Sequence, residues 1–244
     1  MRILMINPNT SQEITQILAA RMREIAGPGV TILPVTARFG ARYIASRAAA
    51  AIAAHAALDA LAEHAVDCDA VLLACFGDPG LAALKEVSPV PVVGMAEASV
   101  RAACGLGSRF AIVTGGAAWG PMLTELVMGL GLINRLAAVR TVEQSGGEIA
   151  LDPDSALARL VAACTACVNE DGADSVILGG AGLAGLAAAV QGAIPVPVIC
   201  SVEAGTRAVL ANGVREQRVG TPQIAGNVGL SGALTKLLGG DVTS

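Results

Sequence analysis

The 244-residue sequence predicts an α/β fold of two similar lobes, each with a parallel sheet, that share a cleft. Short apolar runs alternate with longer Ala- and Leu-rich segments, a pattern typical of βα repeats. Apolar residues make up 54% of the chain, charged residues 15% and aromatic residues 2%. This composition indicates buried parallel strands covered by small-residue helices.

An internal repeat predicts the two lobes. Residues 69–97 read Asp69-Ala-Val-Leu-Leu-Ala-Cys75-Phe-Gly-Asp-Pro-Gly and continue to Pro-Val-Pro-Val-Val and Glu97. Residues 174–203 read Asp174-Ser-Val-Ile-Leu-Gly-Gly180-Ala-Gly-Leu-Ala-Gly and continue to Ile-Pro-Val-Pro-Val-Ile and Glu203. Such a duplication indicates two related units with a site between them. Cys75 of the first copy is therefore equivalent to Gly180 of the second.

Each apolar run bounded by turn residues predicts a strand. In chain order, the predicted strands are residues 2–6, 30–35, 70–74, 91–94, 109–114, 136–142, 175–179 and 196–200. No low-complexity linker separates the halves, so we expect closely packed lobes, with the chain crossing near residue 95 and returning near residue 210. We therefore assign residues 1–95 plus 210–244 to the first lobe and residues 96–209 to the second.

The Ala- and Leu-rich segments between these runs predict the helices. In chain order, they are residues 11–26, 46–65, 79–87, 97–104, 119–130, 154–171, 183–190 and 202–211. Thr10 and Glu13 have the spacing of a capping box that opens the first helix. Asp78 and Pro79 have the order of an N-cap followed by a proline at the first helical position.

Charge and targeting signals exclude several classes of function. The net charge of -4, with no basic cluster, argues against nucleic-acid binding. The beginning of the chain turns polar too early for a signal peptide, which predicts a cytoplasmic protein. The uncharged stretch 175–202 is interrupted by glycines and two prolines, so we interpret it as buried strands and a loop and expect no membrane span.

The six cysteines predict free thiols because no secretory signal accompanies them. Cys164 and Cys167 form a CxxC pair inside a predicted helix, but neither a second pair nor a nearby histidine completes a metal site. His55 and His64 share one predicted helix, and we expect both at its solvent edge rather than beside a nucleophile. No metal site is predicted.

Three loops at predicted strand ends are candidates for chemistry, because ligands bind at the carboxyl ends of parallel strands. They are Asn7-Pro-Asn-Thr-Ser11, Cys75-Phe-Gly-Asp78 and Gly179-Gly-Ala-Gly182. A helix start just after Cys75 would favour its thiolate and supply N–H groups for an oxyanion. The alternative is that Cys75 is a small buried residue in a tight turn.

The segment from Gly180 to Gly185 also matches G-x-G-x-x-G, with Glu203 eighteen residues beyond it. The equivalent first-copy loop, beginning at Cys75, fits no phosphate cradle. Glu97 and Glu203 occupy matching places in the repeat, so neither indicates a ribose clamp. We therefore do not favour a dinucleotide site.

Three segments carry a resemblance to a known family: Ile6-Asn-Pro-Asn-Thr-Ser11, Ala74-Cys-Phe-Gly-Asp-Pro-Gly80 and Val176-Ile-Leu-Gly-Gly-Ala-Gly182. In order, and over most of the chain, the sequence resembles the hydantoin/allantoin racemase branch of the aspartate/glutamate racemase superfamily. The resemblance implies two Rossmann-like lobes related by a pseudo-twofold axis, with the active site between them. It also implies a reaction without cofactors in which two cysteines, one from each lobe, invert a carbon acid.

The sequence departs from that family at one catalytic position. Cys75 matches the first cysteine of the family, whereas Gly180 stands where the Gly-Cys-Ala-Gly pattern has the second. One thiol can remove and return a proton on one face, which gives isotope exchange without racemisation. Three explanations stay open: an engineered Cys-to-Gly variant, water as a weak second acid, or a natural one-thiol enzyme similar to the arylmalonate decarboxylases.

The substrate expected from the loops is a small neutral cyclic ureide, such as a 5-substituted hydantoin or allantoin. Apart from the thiol and Asp78, the loops hold no ionisable group that would pair with a free amino acid. Besides Cys75 and Gly180, the candidate substrate-binding residues are Asn9, Thr10, Ser11, Phe39, Tyr43, Phe76, Gly77, Thr114, Ala181 and Gly182.

A second class of function stays open at this point, a non-catalytic two-lobed protein that binds a small polar ligand. The missing second thiol is compatible with it, whereas the position of Cys75 argues for catalysis. The sequence does not encode a readable oligomeric state, and a homo-oligomer is the default expectation.

Overall fold

The structure is a computed structural model that describes residues 1–212 and 227–239. It contains two four-stranded parallel sheets, with strand orders β2-β1-β3-β4 and β6-β5-β7-β8. The strands are β1 (Arg2–Asn7), β2 (Thr31–Thr36), β3 (Ala70–Leu73), β4 (Val92–Gly94), β5 (Phe110–Gly115), β6 (Leu136–Val142), β7 (Ser175–Gly179) and β8 (Val198–Cys200). The predicted two-lobed α/β fold is confirmed.

Ten α-helices surround these sheets in the described part of the chain. They are α1 (Gln12–Ala26), α2 (Arg47–His64), α3 (Leu81–Val87), α4 (Met95–Cys104), α5 (Trp119–Gly129), α6 (Gly146–Leu151), α7 (Pro153–Asn169), α8 (Ala187–Gln191), α9 (Ser201–Asn212) and α10 (Gly232–Leu237). The sequence missed α6 and α10, which are too short for a periodic pattern to reveal them.

Strand order places the candidate loops. Each sheet has a switch point, where the chain leaves the second strand on one side of the first and continues on the other side. These points lie between β1 and β3 and between β5 and β7, with Leu4 paired to Val71 and Ile112 paired to Ile177. Crevices form at such points beyond the carboxyl ends of the strands. The loops after β1, β3, β5 and β7 are therefore the positions for a site.

The central strands are buried on both faces, which explains their nearly continuous apolar sequences. Ile3, Met5, Ile112 and Ile177 have no exposed surface and belong to one apolar cluster that includes residues of both lobes. Helices α4 and α9 pack against each other, and α10 packs on α2. The boundaries placed at residues 95 and 209 stay predictions, and the predicted segment 210–244 lies largely outside the described residues.

The capping box predicted at Thr10 is wrong by one residue. Ser11 is the N-cap of α1; its Oγ accepts a hydrogen bond from the N–H of Ile14 at 3.4 Å and donates to Glu13 Oε2 at 2.8 Å. The N–H of Thr10 instead donates to the carbonyl oxygen of Ala41 at 3.1 Å. Thr10 thus attaches the loop after β1 to the loop that precedes α2.

Asp78 caps a different helix from the one that the sequence predicts. Helix α3 begins only at Leu81, after Gly80 with φ 77°. The Asp78 carboxylate accepts hydrogen bonds from the N–H groups of Ala96 at 3.0 Å and Glu97 at 2.7 Å, at the start of α4. Asp78 has a φ of 45°, and Gly94 leaves the space its carboxylate occupies, since a Cβ there would lie 2.3 Å from Oδ2. The sequence cannot reveal a cap that acts across the lobe.

Candidate active site

A cavity lies between the carboxyl ends of the two sheets. The described residues that line it come from both lobes and include no Asp, Glu, Lys, Arg or His. They are Asn9, Ile14, Tyr43, Ile44, Ala74, Cys75, Phe76, Thr114, Trp119, Gly146, Gly147, Gly180, Ala181, Gly182 and Leu183. The cavity therefore occupies the place that the two switch points indicate.

Cys75 and Gly180 reach this cavity from equivalent loops. Cys75 lies two residues beyond the end of β3, and Gly180 directly follows β7. Both line the cavity, and both are partly exposed. The internal repeat thus brings the thiol of one lobe and the glycine of the other into contact with the same space.

The backbone at Gly180 has a conformation that suits glycine. Its φ of 128° and ψ of 145° lie in a region that L-residues rarely adopt. The Gly180 N–H donates to Ser201 Oγ at 3.2 Å. A Cβ would find ordinary contacts, 3.4 Å to Leu183 Cδ1 and 3.7 Å to Thr114 Oγ1. There is space for a side chain at this position, but the present backbone would be strained by one.

The protonation state expected for Cys75 from the sequence is wrong. Burial raises the pKa of the Cys75 thiol to about 12, and the neighbouring Asp78 carboxylate raises the pKa further in the same direction. The expected effect of a helix start is absent because α3 begins only at Leu81. Cys75 is consequently a thiol at neutral pH, a proton donor that becomes a strong base when ionised.

Asp78 titrates close to neutrality. Burial raises its pKa from 3.8 to about 7, and the nearby Glu97 carboxylate acts in the same direction. Hydrogen bonds from the N–H groups of Glu97 and Ala96 and the charge of Lys85 oppose this increase. At pH values between 3.8 and about 7, the folded protein therefore keeps a proton on Asp78 that the unfolded chain releases. Asp78 therefore contributes stability below about pH 4 that is lost as the pH rises towards 7.

We expect Asp78→Asn to flatten the pH dependence of stability. Wild type should lose more unfolding free energy than the variant between about pH 4.5 and about pH 7.5, because the variant has no carboxyl group to ionise. Urea denaturation at both pH values measures this difference. The matched control is Asp59→Asn: burial raises the pKa of Asp59, but hydrogen bonds from Ser231 and Arg38 outweigh burial and lower it. Equal slopes in wild type and Asp78→Asn would contradict the prediction.

The orientation of Asn9 follows from its hydrogen bonds. Asn9 Oδ1 accepts from Asn7 Nδ2 at 2.9 Å and from the N–H of Ser11 at 2.9 Å. Two donors on one oxygen fix which end of the amide is which. Because Asn9 lines the cavity, we expect its Nδ2 group to be the donor that it offers there. Thr114 Oγ1 donates its proton to the carbonyl oxygen of Gly179 at 2.7 Å, so this hydroxyl offers the cavity an acceptor.

Two aromatic rings cross between the lobes at glycines. The ring of Phe76, in the first lobe, covers Gly179, where a Cβ would lie 2.1 Å from Cε1. The ring of Trp119, in the second lobe, covers Gly77, where a Cβ would lie 2.4 Å from Cζ3. We call these contacts the Phe76–Gly179 and Trp119–Gly77 pairs. They fix the distance between the two lobes beside Cys75.

Tyr43 connects the first lobe to the second by hydrogen bonds. Its hydroxyl donates to the carbonyl oxygen of Gly115 at 3.1 Å and accepts from the N–H of Gly146 at 3.3 Å. An ion pair between Arg47 and Glu125 joins helices α2 and α5 nearby. Tyr43 contributes its ring to the cavity wall, while its hydroxyl is occupied by the protein itself.

The structure separates the predicted site residues into two groups. Eight line the cavity: Cys75, Gly180, Asn9, Tyr43, Phe76, Thr114, Ala181 and Gly182. Four do not, and each is engaged elsewhere: Thr10 with Ala41, Ser11 as a helix cap, Phe39 edge-on to His55 with ring centroids 5.0 Å apart, and Gly77 beneath Trp119. The part that the first group plays in binding stays a prediction.

Sequence reasoning missed several lining residues, chiefly Ile14, Ile44, Trp119 and Leu183. Trp119 could have been predicted from the sequence, because it is the single tryptophan and follows a strand end. No sequence pattern distinguishes Ile14 and Ile44 as lining residues, since each is one apolar residue among many. Among the described residues, no cluster of His, Cys, Asp or Glu could hold a metal ion, and no helix there is long and apolar enough to span a membrane.

Two related parallel-sheet lobes with a thiol in the cavity between them are the arrangement expected of one class of isomerase, the cofactor-independent racemases. The chain belongs to the Asp/Glu/Hydantoin racemase family, whose family model matches residues 3–209. The predicted resemblance is thereby confirmed. The racemase reading is favoured over the decarboxylase and binding-protein alternatives.

Relatives and solved structures agree with this assignment. Hydantoin racemase of Paenarthrobacter aurescens is 36% identical over 209 residues, which cover 85% of this chain and 89% of that protein. Allantoin racemase from Pseudomonas fluorescens superposes with a TM-score of 0.84 at 31% identity, over 92% of this chain and 99% of that chain. Allantoin racemase from Klebsiella pneumoniae gives 0.80 at 34% identity, over 88% of this chain and 90% of that chain.

Proposed function

We propose that this racemase acts on a small neutral cyclic ureide, a 5-substituted hydantoin or allantoin, at the ring carbon beside a carbonyl group. One observation carries the proposal: Cys75 and Gly180, the equivalent residues of the two lobes, line the same cavity. The relatives named hydantoin racemase and allantoin racemase support this choice of substrate.

The charge of the cavity supports a neutral ring. A free amino acid carries an ammonium and a carboxylate, which need fixed partners of opposite charge when they are buried. Among the residues of 1–212 and 227–239 that line the cavity, only the Cys75 thiol and the Tyr43 phenol are ionisable. A ureide ring, in contrast, needs only hydrogen-bond donors and acceptors such as Asn9 Nδ2 and Thr114 Oγ1.

In the proposed reaction, Cys75 exchanges a proton with the ring carbon on one face. The ionised sulfur takes the proton, and the electron pair moves to the adjacent carbonyl oxygen. The Asn9 amide is the side-chain donor available to stabilise that oxygen. Gly180 supplies no acid on the opposite face, so we infer that return of the proton from Cys75 is faster than inversion.

Proton NMR in heavy water, with optical rotation followed in parallel, tests this function. Each enantiomer of a 5-substituted hydantoin is incubated with the protein and, separately, without it. We expect the ring proton of one enantiomer to exchange faster than its rotation decays. If neither enantiomer of the hydantoin nor allantoin exchanges above the rate without protein, the proposed function is wrong.

The raised pKa of Cys75 makes the exchange rate dependent on pH. Because the thiolate is the base and the pKa is about 12, its population rises about tenfold for each pH unit between about pH 7 and about pH 9. We expect the protein-dependent exchange rate, after subtraction of the rate with Cys75→Ala, to rise by about the same factor. A rate that levels off near pH 7 would show that the thiol ionises more easily than the structure implies.

We further propose that the protein is a cytoplasmic homo-oligomer. All six cysteines are free thiols, which a reducing compartment maintains. Symmetric homo-oligomers are the commonest assemblies of soluble proteins. Light scattering coupled to size-exclusion chromatography tests the oligomer, and a mass of about one chain would contradict it.

A further inference from the structure

We propose that the cavity selects hydantoins with an apolar alkyl substituent at the ring carbon over allantoin, whose substituent is a polar ureido group. Ile14 and Ile44 are the residues that determine this specificity. The inference rests on the proposed function and names the substrate within the class of cyclic ureides.

Few hydrogen-bonding side chains line the cavity, and most of its described lining is apolar. Its hydrogen-bonding groups follow the strand ends: Asn9 after β1, Thr114 at the end of β5 and the loop from Gly180 to Gly182 after β7. The ring of the substrate has two carbonyl and two N–H groups, and these require the few hydrogen-bonding groups. The substituent on the ring carbon is therefore left to the apolar side chains, which we call the apolar part of the lining: Ile14, Tyr43, Ile44, Phe76 and Trp119.

The apolar part is a continuation of the protein core. Ile44, Phe76 and Trp119 are 3%, 5% and 7% exposed and belong to the largest apolar cluster. Ile14 and Tyr43 are partly buried and pack against the same cluster. These side chains have few alternative positions, so an alkyl group placed against them buries apolar surface with little loss of conformational entropy.

A ureido group would find few acceptors there. Its three N–H hydrogens need oxygen atoms, but Asn9 Oδ1 already accepts two hydrogen bonds. Tyr43 Oη accepts one from Gly146 and donates its own proton to Gly115. No carboxylate lines the cavity in the part of the chain that the structure describes. Burial of donors without partners weakens binding in the ground state and in the transition state alike.

The first test compares substrates with the wild-type protein. Ring-proton exchange in heavy water gives kcat/KM for 5-isopropylhydantoin and for allantoin, each corrected for its own rate without protein. We expect the alkyl hydantoin to be favoured about 10- to 100-fold, the discrimination that one polar group in an apolar pocket supplies. Equal values, or a preference for allantoin, would overturn this inference and leave the proposed function standing. If neither substrate exchanges, the proposed function fails as well.

The second test changes the apolar wall. Ile14→Gln places an amide at the wall on helix α1, and Ile17→Gln makes the same change at a residue of that helix that is 36% exposed and does not line the cavity. We expect Ile14→Gln to lower the preference for 5-isopropylhydantoin over allantoin about tenfold, whereas Ile17→Gln leaves the ratio unchanged. If Ile14→Gln lowers both kcat/KM values equally, Ile14 has only a structural role and the assignment is wrong.

Discussion

Cys75→Ala should reduce the exchange of the ring-carbon proton to the rate measured without protein. Positioned acid–base groups contribute about 10²- to 10⁴-fold to proton transfer, and Cys75 is the one thiol that lines the described cavity. Cys75→Ser should be almost as inactive, because a serine hydroxyl ionises far less readily than a thiol. Heavy-water NMR with the preferred enantiomer measures both rates.

Cys104→Ser is the matched control for this experiment. Cys104 is also a partly exposed free thiol, but it lies at the end of α4 and does not line the cavity. Its replacement should leave the exchange rate unchanged. Circular dichroism of all three variants establishes that they are folded. Exchange by folded Cys75→Ala at the wild-type rate would remove Cys75 from the mechanism.

Gly180→Cys should convert one-sided exchange into racemisation while it destabilises the protein. A thiol at residue 180 would line the same cavity as Cys75, from the other lobe, and we expect it to supply the missing acid on the second face. We expect the ratio of inversion to exchange to rise at least about tenfold, as expected for an added acid–base group. Polarimetry and NMR on the same samples give this ratio.

The cost of that substitution follows from the backbone. A Cβ at φ 128° strains the chain by about 1–3 kcal/mol unless the loop rearranges, and rearrangement puts at risk the hydrogen bond to Ser201. Gly180→Ala separates the two effects, since it carries the same strain but no thiol. Both variants should lose similar unfolding free energy, and only Gly180→Cys should gain inversion. Inversion by Gly180→Ala as fast as by Gly180→Cys would refute a thiol-based second acid.

The repeat in the sequence was enough to predict the fold and the two loops that face each other. Buried parallel strands such as Ala70–Leu73 and Ser175–Gly179 are short, almost wholly apolar and bounded by turns, so local pattern identifies them. Duplication then places Cys75 opposite Gly180 without any knowledge of tertiary contacts. All eight strands of the described chain were predicted, including the more polar and partly exposed strand Leu136–Val142.

The parts that escaped prediction depend on contacts between distant segments. The cap formed by Asp78 acts on α4 rather than on the helix that follows it, and the pKa of Cys75 is determined by burial that no local pattern encodes. Ile44 lines the cavity next to Tyr43, whose hydroxyl attaches their loop to the second lobe. Sequence spacing cannot reveal which apolar residues of a loop contact a ligand.

The Phe76–Gly179 and Trp119–Gly77 pairs have a consequence for how this enzyme can change over evolutionary time. In each pair a bulky ring on one lobe fills the space that the absent side chain leaves on the other, so neither position can acquire a different residue independently. Enlargement of either glycine requires a smaller partner in the opposite half of the chain. The width of the cleft therefore depends on both residues of each pair. We expect it to change in evolution by compensatory double mutations rather than by single substitutions.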